Sequence, residues 1–599
     1  MKVKVSDYIA DFLANNKIEH VFTVTGGGAM HLNDSLGHHP KLKCIYNHHE
    51  QACAIAAEGY TRYSGKLAAV CVTTGPGGTN AITGVVGGYL DSIPMFIISG
   101  QVKKETMVKS YDLQLRQLGD QEYNIIDTVK PMTKYAKTIM DPEKVAYYLE
   151  KAFYIATNRR GGPVWLDVPL DVQGAYVDSE KLKHFDVALF ERDLKKPYAK
   201  ETDVEKVIDK ILKSKRPVII AGSGIRLSGA HGRFLALIDR LNIPVVTPWN
   251  GHDVLYDDHR LFCGRPGIMG TRGGNFVVEN SDLLISLGCR MSIRQVGYNY
   301  KSFARNSYKI MVDIDENELV KPTLSIDLPI HSDVGEFIEK MLDKCSDVDF
   351  GNREEWVKWC RNVNLKYPVC SEKHYEKSSP INPYAFIDSL FNELPQNETI
   401  VCGNGSACVM TFQAAKLKKG QRLFTNSGAA SMGYGFPAAI GVAVNKKGKR
   451  VVCLDGDGSF QMNLQEMQTM VHNKLNIKIF YFNNSGYHSI RQTQMNLFSN
   501  HCLVGVSEDN GISFPECEKI AYCYGVPYFK LSNINDAKEV ISKVLTQEGP
   551  VMCEVLLDKT QNFEPKISSK IAEDGSMIST AIDDMYPFLS KEEYLENKV

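Results

Sequence analysis

The stretch Val451-Val452-Cys453-Leu454-Asp455-Gly456-Asp457-Gly458-Ser459 constrains this chain more than any other. An apolar run ends in a small-residue turn bearing an acid. A helical pattern then follows over about 460–473, with Leu464, Met467 and Val471 three to four apart. A second apolar run, Ile477–Phe482, ends in Asn483-Asn484. Strand, turn, helix and strand in this order place Asp457 and Asn484 at one edge of a parallel sheet, where α/β sheets bind ligands. One carboxylate and one amide oxygen suit a hard cation such as Mg2+, whose other positions go to phosphate oxygens and water. Gly456 and Gly458 let the backbone approach a diphosphate, and Ser459 enters a helix whose N-terminus favours anions.

The same alternation of short apolar runs and helical patterns continues along the chain, which reads as α/β. Its 599 residues divide into three units and a tail. The first, 1–185, holds strand-like Leu67–Thr73, Met95–Ser99 and Val164–Val168. The second, 195–345, holds Val218–Ala221, Ile243–Val246, Asp282–Leu287 and Tyr308–Ile314. The third, 380–558, adds Thr399–Cys402 to the two strands above, and a polar tail fills 559–599. The charged stretch Asp178–Asp203 and the polar stretch 345–380 read as linkers. A net charge of -1 offers no basic field to nucleic acid or an anionic membrane. The 15 cysteines contain no CxxC pair, which argues against a zinc site or disulfide framework and fits a reducing compartment. The start lacks an apolar leader core, and no run approaches the roughly 18 apolar residues of a membrane span. A cytoplasmic protein without nucleic-acid or membrane partners is expected.

Near the N-terminus, Cys44-Ile45-Tyr46-Asn47-His48-His49-Glu50-Gln51 precedes a small-residue helix over Ala52–Tyr63. A carboxylate at a strand–helix junction is most often a cap. Together with the Asp457/Asn484 pair, however, this segment resembles the acetolactate-synthase group of thiamine diphosphate (ThDP) enzymes. The resemblance runs over roughly 1–560 and implies three consecutive Rossmann-like parallel-sheet domains, for pyrimidine binding, a central role and diphosphate binding. It implies that Glu50 bonds the aminopyrimidine of the cofactor and promotes its activation by proton transfer. It implies that the metal takes the Gly486 carbonyl besides Asp457 and Asn484. Val21–Gly28 is similar to the family's early glycine loop, with Gly27 near the reacting centre, and Gln121 falls where the family has a pocket glutamine. Gly403-Asn404-Gly405-Ser406-Ala407 resembles a further diphosphate loop. In Asn426–Gly441, Ala430 would offer a carbonyl to the amino group and Met432 would prop apart the cofactor rings. A homodimer or homotetramer is implied, with Glu50 of one subunit serving the cofactor held by the other.

Decarboxylation of a pyruvate-type 2-keto acid followed by carboligation to a second carbonyl is the reaction this resemblance implies. Non-ligating decarboxylation and a non-catalytic scaffold are the alternatives, and retention of Glu50, Asp457 and Asn484 speaks against the scaffold. The loop after the asparagine pair departs from the family pattern. Ser489 and Thr493 stand where bulky apolar or aromatic residues are usual, and Asp120 where Phe is usual. A more polar pocket suits a more polar acceptor, such as a keto-sugar nucleotide. His488 is a candidate proton shuttle, although a loop histidine is more often only hydrogen-bonded. The tail looks like those of relatives associated with branched-sugar or polysaccharide synthesis. Gly222-Ser223-Gly224, Gly288-Cys289-Arg290 and Ser332-Asp333 resemble parts of an FAD site, whereas Met269 stands where flavin-binding relatives carry His. The sequence leaves FAD open.

Overall fold

The computed structural model describes residues 1–599 other than 193, 195–196, 499–502 and 572–576. Residue 195, the expected start of the second unit, therefore lies outside the described residues. Three parallel sheets follow one another along the chain. The first is built from His20–Thr23, Lys43–Tyr46, Ala69–Val72, Met95–Gln101, Tyr135–Thr138 and Pro163–Pro169. Their spatial order is second, first, third, fourth, sixth, fifth. The central sheet joins Val245–Val246, Pro217–Ala221, Leu283–Leu287, Tyr308–Asp313 and Leu328–His331 in that spatial order. The last sheet comprises Thr399–Cys402, Arg422–Phe424, Val451–Gly456, Ile477–Asn483, Tyr528–Leu531 and Val551–Leu556. It repeats the order second, first, third, fourth, sixth, fifth. Its inner strands are buried along their length, Val451–Gly456 completely, so they read as continuous apolar runs rather than alternating ones.

In both six-stranded sheets the first strand lies between the second and the third. Connections from the first and third strands leave in opposite directions, which opens a crevice at their carboxyl ends. The helices after the second strands, Glu50–Ser64 and Gly435–Lys446, pack on one another and share one apolar core. Their approach is close enough that a Cβ on Gly441 would lie 1.9 Å from the Ala56 carbonyl oxygen, and one on Gly59 2.6 Å from that of Ala438. Polar groups cross the same junction. Arg62 pairs with Glu58 and with Asp91 (2.7 Å), and the Tyr434 hydroxyl donates to Glu58 at 2.7 Å. No helix among the described residues is long and apolar enough to cross a membrane.

Three local expectations need correction. The helix expected over 460–473 is two pieces, Asp457–Gln461 and Glu466–His472. Fully buried Asn463 lies in the break, and its side chain donates to the Gly433 carbonyl at 2.8 Å. A side-chain amide committed to another loop competes with continuous helix. The stretch 345–380 is not only linker, because Glu354–Lys366 is a helix that buries Trp356, Cys360 and Val363 on the central unit. Their three-to-four spacing was the overlooked signal. The tail is likewise packed. Ile582 and Met585 are buried, and Asp583, with no exposed surface, accepts from Arg305 at 2.9 Å.

Candidate active site

At the crevice of the last sheet, Asp457 is 3% exposed and opens a helix. Its carboxylate accepts three backbone N–H groups, from Gly458 (2.7 Å), Asn484 (3.0 Å) and Gly486 (2.9 Å). Burial pushes its pKa up to about 6, against the lowering effect of those donors. Arg491 donates to the carbonyls of Asn484 (3.3 Å) and Ser485 (3.0 Å), so it braces the loop by its backbone. The Asn484 amide donates to the Ser406 hydroxyl at 3.2 Å, which leaves the amide oxygen as its acceptor group. Asp457, Asn484 and Gly486 are thus assembled in one place. A buried carboxylate beside an amide oxygen and a backbone carbonyl is a donor set of the right chemistry for Mg2+ with phosphate and water completing its shell.

Glycines around this site fall into two kinds. Gly403 and Gly435 are forced by packing, since a Cβ on either would lie 2.0 Å and 2.9 Å, respectively, from the buried Asp455 carboxylate. A Cβ on Gly458 would strike the Tyr487 ring at 2.1 Å, and one on Gly486, at φ +131°, the Val506 carbonyl oxygen at 1.8 Å. Gly456 is different: its φ is -83°, and a Cβ there would meet nothing within 4 Å. Open space therefore lies beside this backbone, as a diphosphate cradle requires. Gly405 has φ +60°, and Ser406 and Ala407 begin the buried helix Ser406–Ala414 that faces the same crevice. Ser459 Oγ accepts from Gly433 N at 3.0 Å, joining this turn to the Asn426–Gly433 loop. In that loop Ala430 is left-handed at φ +51°, and its carbonyl accepts from Asn404 at 3.1 Å. Met432 is half-buried nearby in sequence.

In the first unit, Glu50 is half-buried at the first position of its helix and accepts from Asn80 at 3.0 Å. The crevice between first and third strands carries Gly26–Gly28 and Thr73–Gly75. Gly26 and Gly28 are forced by Thr73 and Thr74, but a Cβ on Gly27 would meet nothing within 4 Å. Gln121 is exposed and left-handed at φ +62°, its carbonyl close against Gly75. His488 begins the helix His488–Leu497 just beyond Gly486 and is turned toward the tail. Its Nε2 lies 2.9 Å from the Gln561 carbonyl, its buried Nδ1 has no partner among the described residues, and burial pushes its pKa down to about 4. On the same helix, Ser489 approaches Gly405, and exposed Thr493 donates to the Ser489 carbonyl at 3.0 Å. Asp120 is exposed.

Three residues escaped the sequence reading. Asp455, with no exposed surface and its pKa pushed to about 7 by burial, fixes Gly403 and Gly435; an acid within an apolar strand was the available signal. Arg491 carried no signal beyond proximity to the asparagines. Fully buried Glu466 accepts from Asn47 (2.8 Å) and His48 N (3.0 Å), tying the approach to Glu50 onto the last unit. In the central unit, a cavity is lined by Ser223, Gly224, Gly288, Arg290, Asp313 and Asp333, with Arg160 of the first unit. Two of its glycines answer to protein packing: a Cβ on Gly224 would lie 2.8 Å from the Gly288 Cα, and one on Gly288 2.9 Å from the Gly224 Cα.

Comparison with known proteins finds three family matches in succession along the chain. Residues 3–122 match the N-terminal TPP binding domain of thiamine pyrophosphate enzymes, 204–341 their central domain, and 403–555 their C-terminal TPP binding domain. A probable acetolactate synthase large subunit from Methanococcus aeolicus is 30% identical, over 98% of each chain. The acetolactate synthase large subunit of Lactococcus lactis is 30% identical over 95% of each. Acetolactate synthase isozyme 1 large subunit of Escherichia coli is 29% identical over 94% of this chain and 95% of its own.

Proposed function

Since the chain belongs to the thiamine pyrophosphate enzymes, in the acetolactate synthase family, we propose that it decarboxylates a 2-keto acid of the pyruvate class and joins the remaining two-carbon unit to a second carbonyl. The observation that carries this reading is the convergence of Asp457, Asn484 and Gly486 at the crevice of the last sheet. Asp457, Asn484 and the Gly486 carbonyl would hold Mg2+. Gly405, Ser406, Ala407, Gly456, Gly458 and Ser459 would receive the diphosphate. Bound ThDP supplies a carbon nucleophile and an electron sink for loss of CO2. Glu50 would hold a proton at the aminopyrimidine ring nitrogen, the Ala430 carbonyl would accept from the ring amino group, and Met432 would prop the rings. Gly27 and Gln121 would border the reacting carbon, and His488, buried against the tail, would act as a proton shuttle only after turning from Gln561.

Glu50 and Asp457 belong to different crevices of one chain. We therefore assign the complete site to a homodimer or homotetramer, with the two residues contributed by different subunits. No step is assigned to FAD; Gly222, Gly224 and Gly288 pack closely on one another. The test is incubation of pure protein with ThDP, Mg2+ and labelled pyruvate, with and without acceptors, and mass spectrometry of the products. A two-carbon transfer product supports carboligation. Release of acetaldehyde alone leaves a simple decarboxylase, and no turnover leaves a non-catalytic homologue.

A second reading is favoured by Ser489, whose hydroxyl lies near Gly405, and by Thr493 one turn further. These small polar side chains suit a hydroxylated ketone, such as a keto-sugar nucleotide, as acceptor. A site built for hydroxyl groups rejects analogues lacking them more strongly than the roughly 1–3 kcal/mol that a methylene supplies. Thr493→Trp should then shift product toward acetolactate. Robust acetolactate formation by wild type, with every keto-sugar ignored, would leave pyruvate as the acceptor.

A further inference from the structure

A carboxylate buried in a parallel sheet is costly unless it is hydrogen-bonded. Glu554 lies in the strand Val551–Leu556 among Val551, Cys553 and Val555, and is 7% exposed. Its Oε1 accepts from the Asn483 side-chain amide at 2.7 Å, and its Oε2 from the Tyr528 hydroxyl at 2.5 Å. Lys530, 4.0 Å away with a side chain 53% exposed, is a weak counter-ion. The tight partners are therefore neutral, and one of them adjoins Asn484.

Asn483 passes the contact on. With its NH2 given to Glu554, its Oδ1 faces forward and accepts the backbone N–H of Ser485 at 2.9 Å. Ser485 is left-handed, at φ +50°, a conformation that a residue with a side chain keeps only when its surroundings hold it there. On either side of it, Asn484 and Gly486 direct their N–H groups at Asp457. An Asn483 amide turned over would present NH2 to the Ser485 N–H, donor against donor. Glu554, an acceptor only, forbids that orientation.

We infer that Glu554 is a positioning residue, which fixes the orientation of the Asn483 amide and so holds the Asn484–Gly486 turn in its metal-binding shape. The inference rests on the proposed reading of that turn as the Mg2+ site. Outer partners of metal ligands typically control affinity by about 10–100-fold. The experiment is a Mg2+ titration of the full-length protein at saturating ThDP, followed by calorimetry, with thermal melting of the ligand-free protein alongside. Glu554→Leu should raise the half-saturating Mg2+ concentration by about 10–100-fold. Asn483→Asp should do the same by setting two carboxylates face to face. Adding Glu554→Gln to Asn483→Asp should restore binding, because the new amide at 554 donates to the new carboxylate at 483, the reverse of the native bond. That pair decides the matter if Glu554→Leu fails to fold. A melt lowered without change in Mg2+ dependence, or a double variant no better than Asn483→Asp, overturns the role. A wild-type protein that binds no ThDP with Mg2+ removes the metal reading itself, and the inference with it.

Discussion

The first and last units share one strand order, each with its own crevice, yet place their acids differently. In the last unit the acid follows the third strand. It is almost wholly buried and is wrapped by three N–H groups from its own turn and the neighbouring strand end. In the first unit the acid follows the second strand, half-buried at a helix start, with one side-chain amide as its hydrogen-bond partner. Geometry of the first kind fixes an anion in place and suits a cation that must not move. Geometry of the second kind leaves a carboxylate able to meet a ring and exchange a proton. On the proposed reading, one architecture used twice gives an anchoring edge and a reacting edge.

The largest expected effect comes from removing the anchor. Asp457→Ala should abolish Mg2+-dependent ThDP binding in calorimetry while the circular dichroism spectrum stays native, because the glycines around it are held by other contacts. Undiminished affinity would break the comparison at its stronger end. Next is Glu50→Gln, which should leave ThDP bound but slow exchange of its C2 proton by about 10^2–10^4-fold. Deuterium exchange read by NMR after acid quench measures this directly. Loss of binding in Glu50→Gln would mean that the first unit anchors as well.

Legibility in the sequence followed the same divide. Three strands of the last unit, Thr399–Cys402, Val451–Gly456 and Ile477–Asn483, were readable because they are buried and continuously apolar, and Asp457 stood out as an acid closing such a run. Glu50 was readable only through resemblance, since a carboxylate at a helix start is ordinarily a cap. Contacts made over long sequence distances were not readable. Glu554 reaches Asn483 from a separate strand, and Glu466 reaches Asn47 from the other unit. The helix break at Asn463 also depends on a distant loop, at Gly433. Nor could the sequence separate glycines forced by packing from glycines beside open space.

That last distinction gives the smallest and sharpest prediction. Gly441 and Gly456 both lie in the last unit, one in its helix pair with the first and one at the crevice. In an ordinary helix interior Gly→Ala gains about 1 kcal/mol. At Gly441 the added Cβ would lie 1.9 Å from the Ala56 carbonyl oxygen, so the helices must part. Overpacking of this kind costs about 1–3 kcal/mol, which outweighs the gain, and Gly441→Ala should lower the denaturant midpoint. At Gly456 the backbone is extended, with φ -83°, and the Cβ meets nothing within 4 Å. Gly456→Ala should leave stability unchanged or raise it by up to about 1 kcal/mol. The methyl group would stand in the space proposed for the diphosphate, so ThDP affinity should fall although no protein contact is lost. Denaturant melts and ThDP calorimetry on the two variants should therefore move in opposite pairings: stability down at Gly441, affinity down at Gly456. If Gly456→Ala binds ThDP as tightly as wild type, the open space beside that turn belongs to something other than the diphosphate.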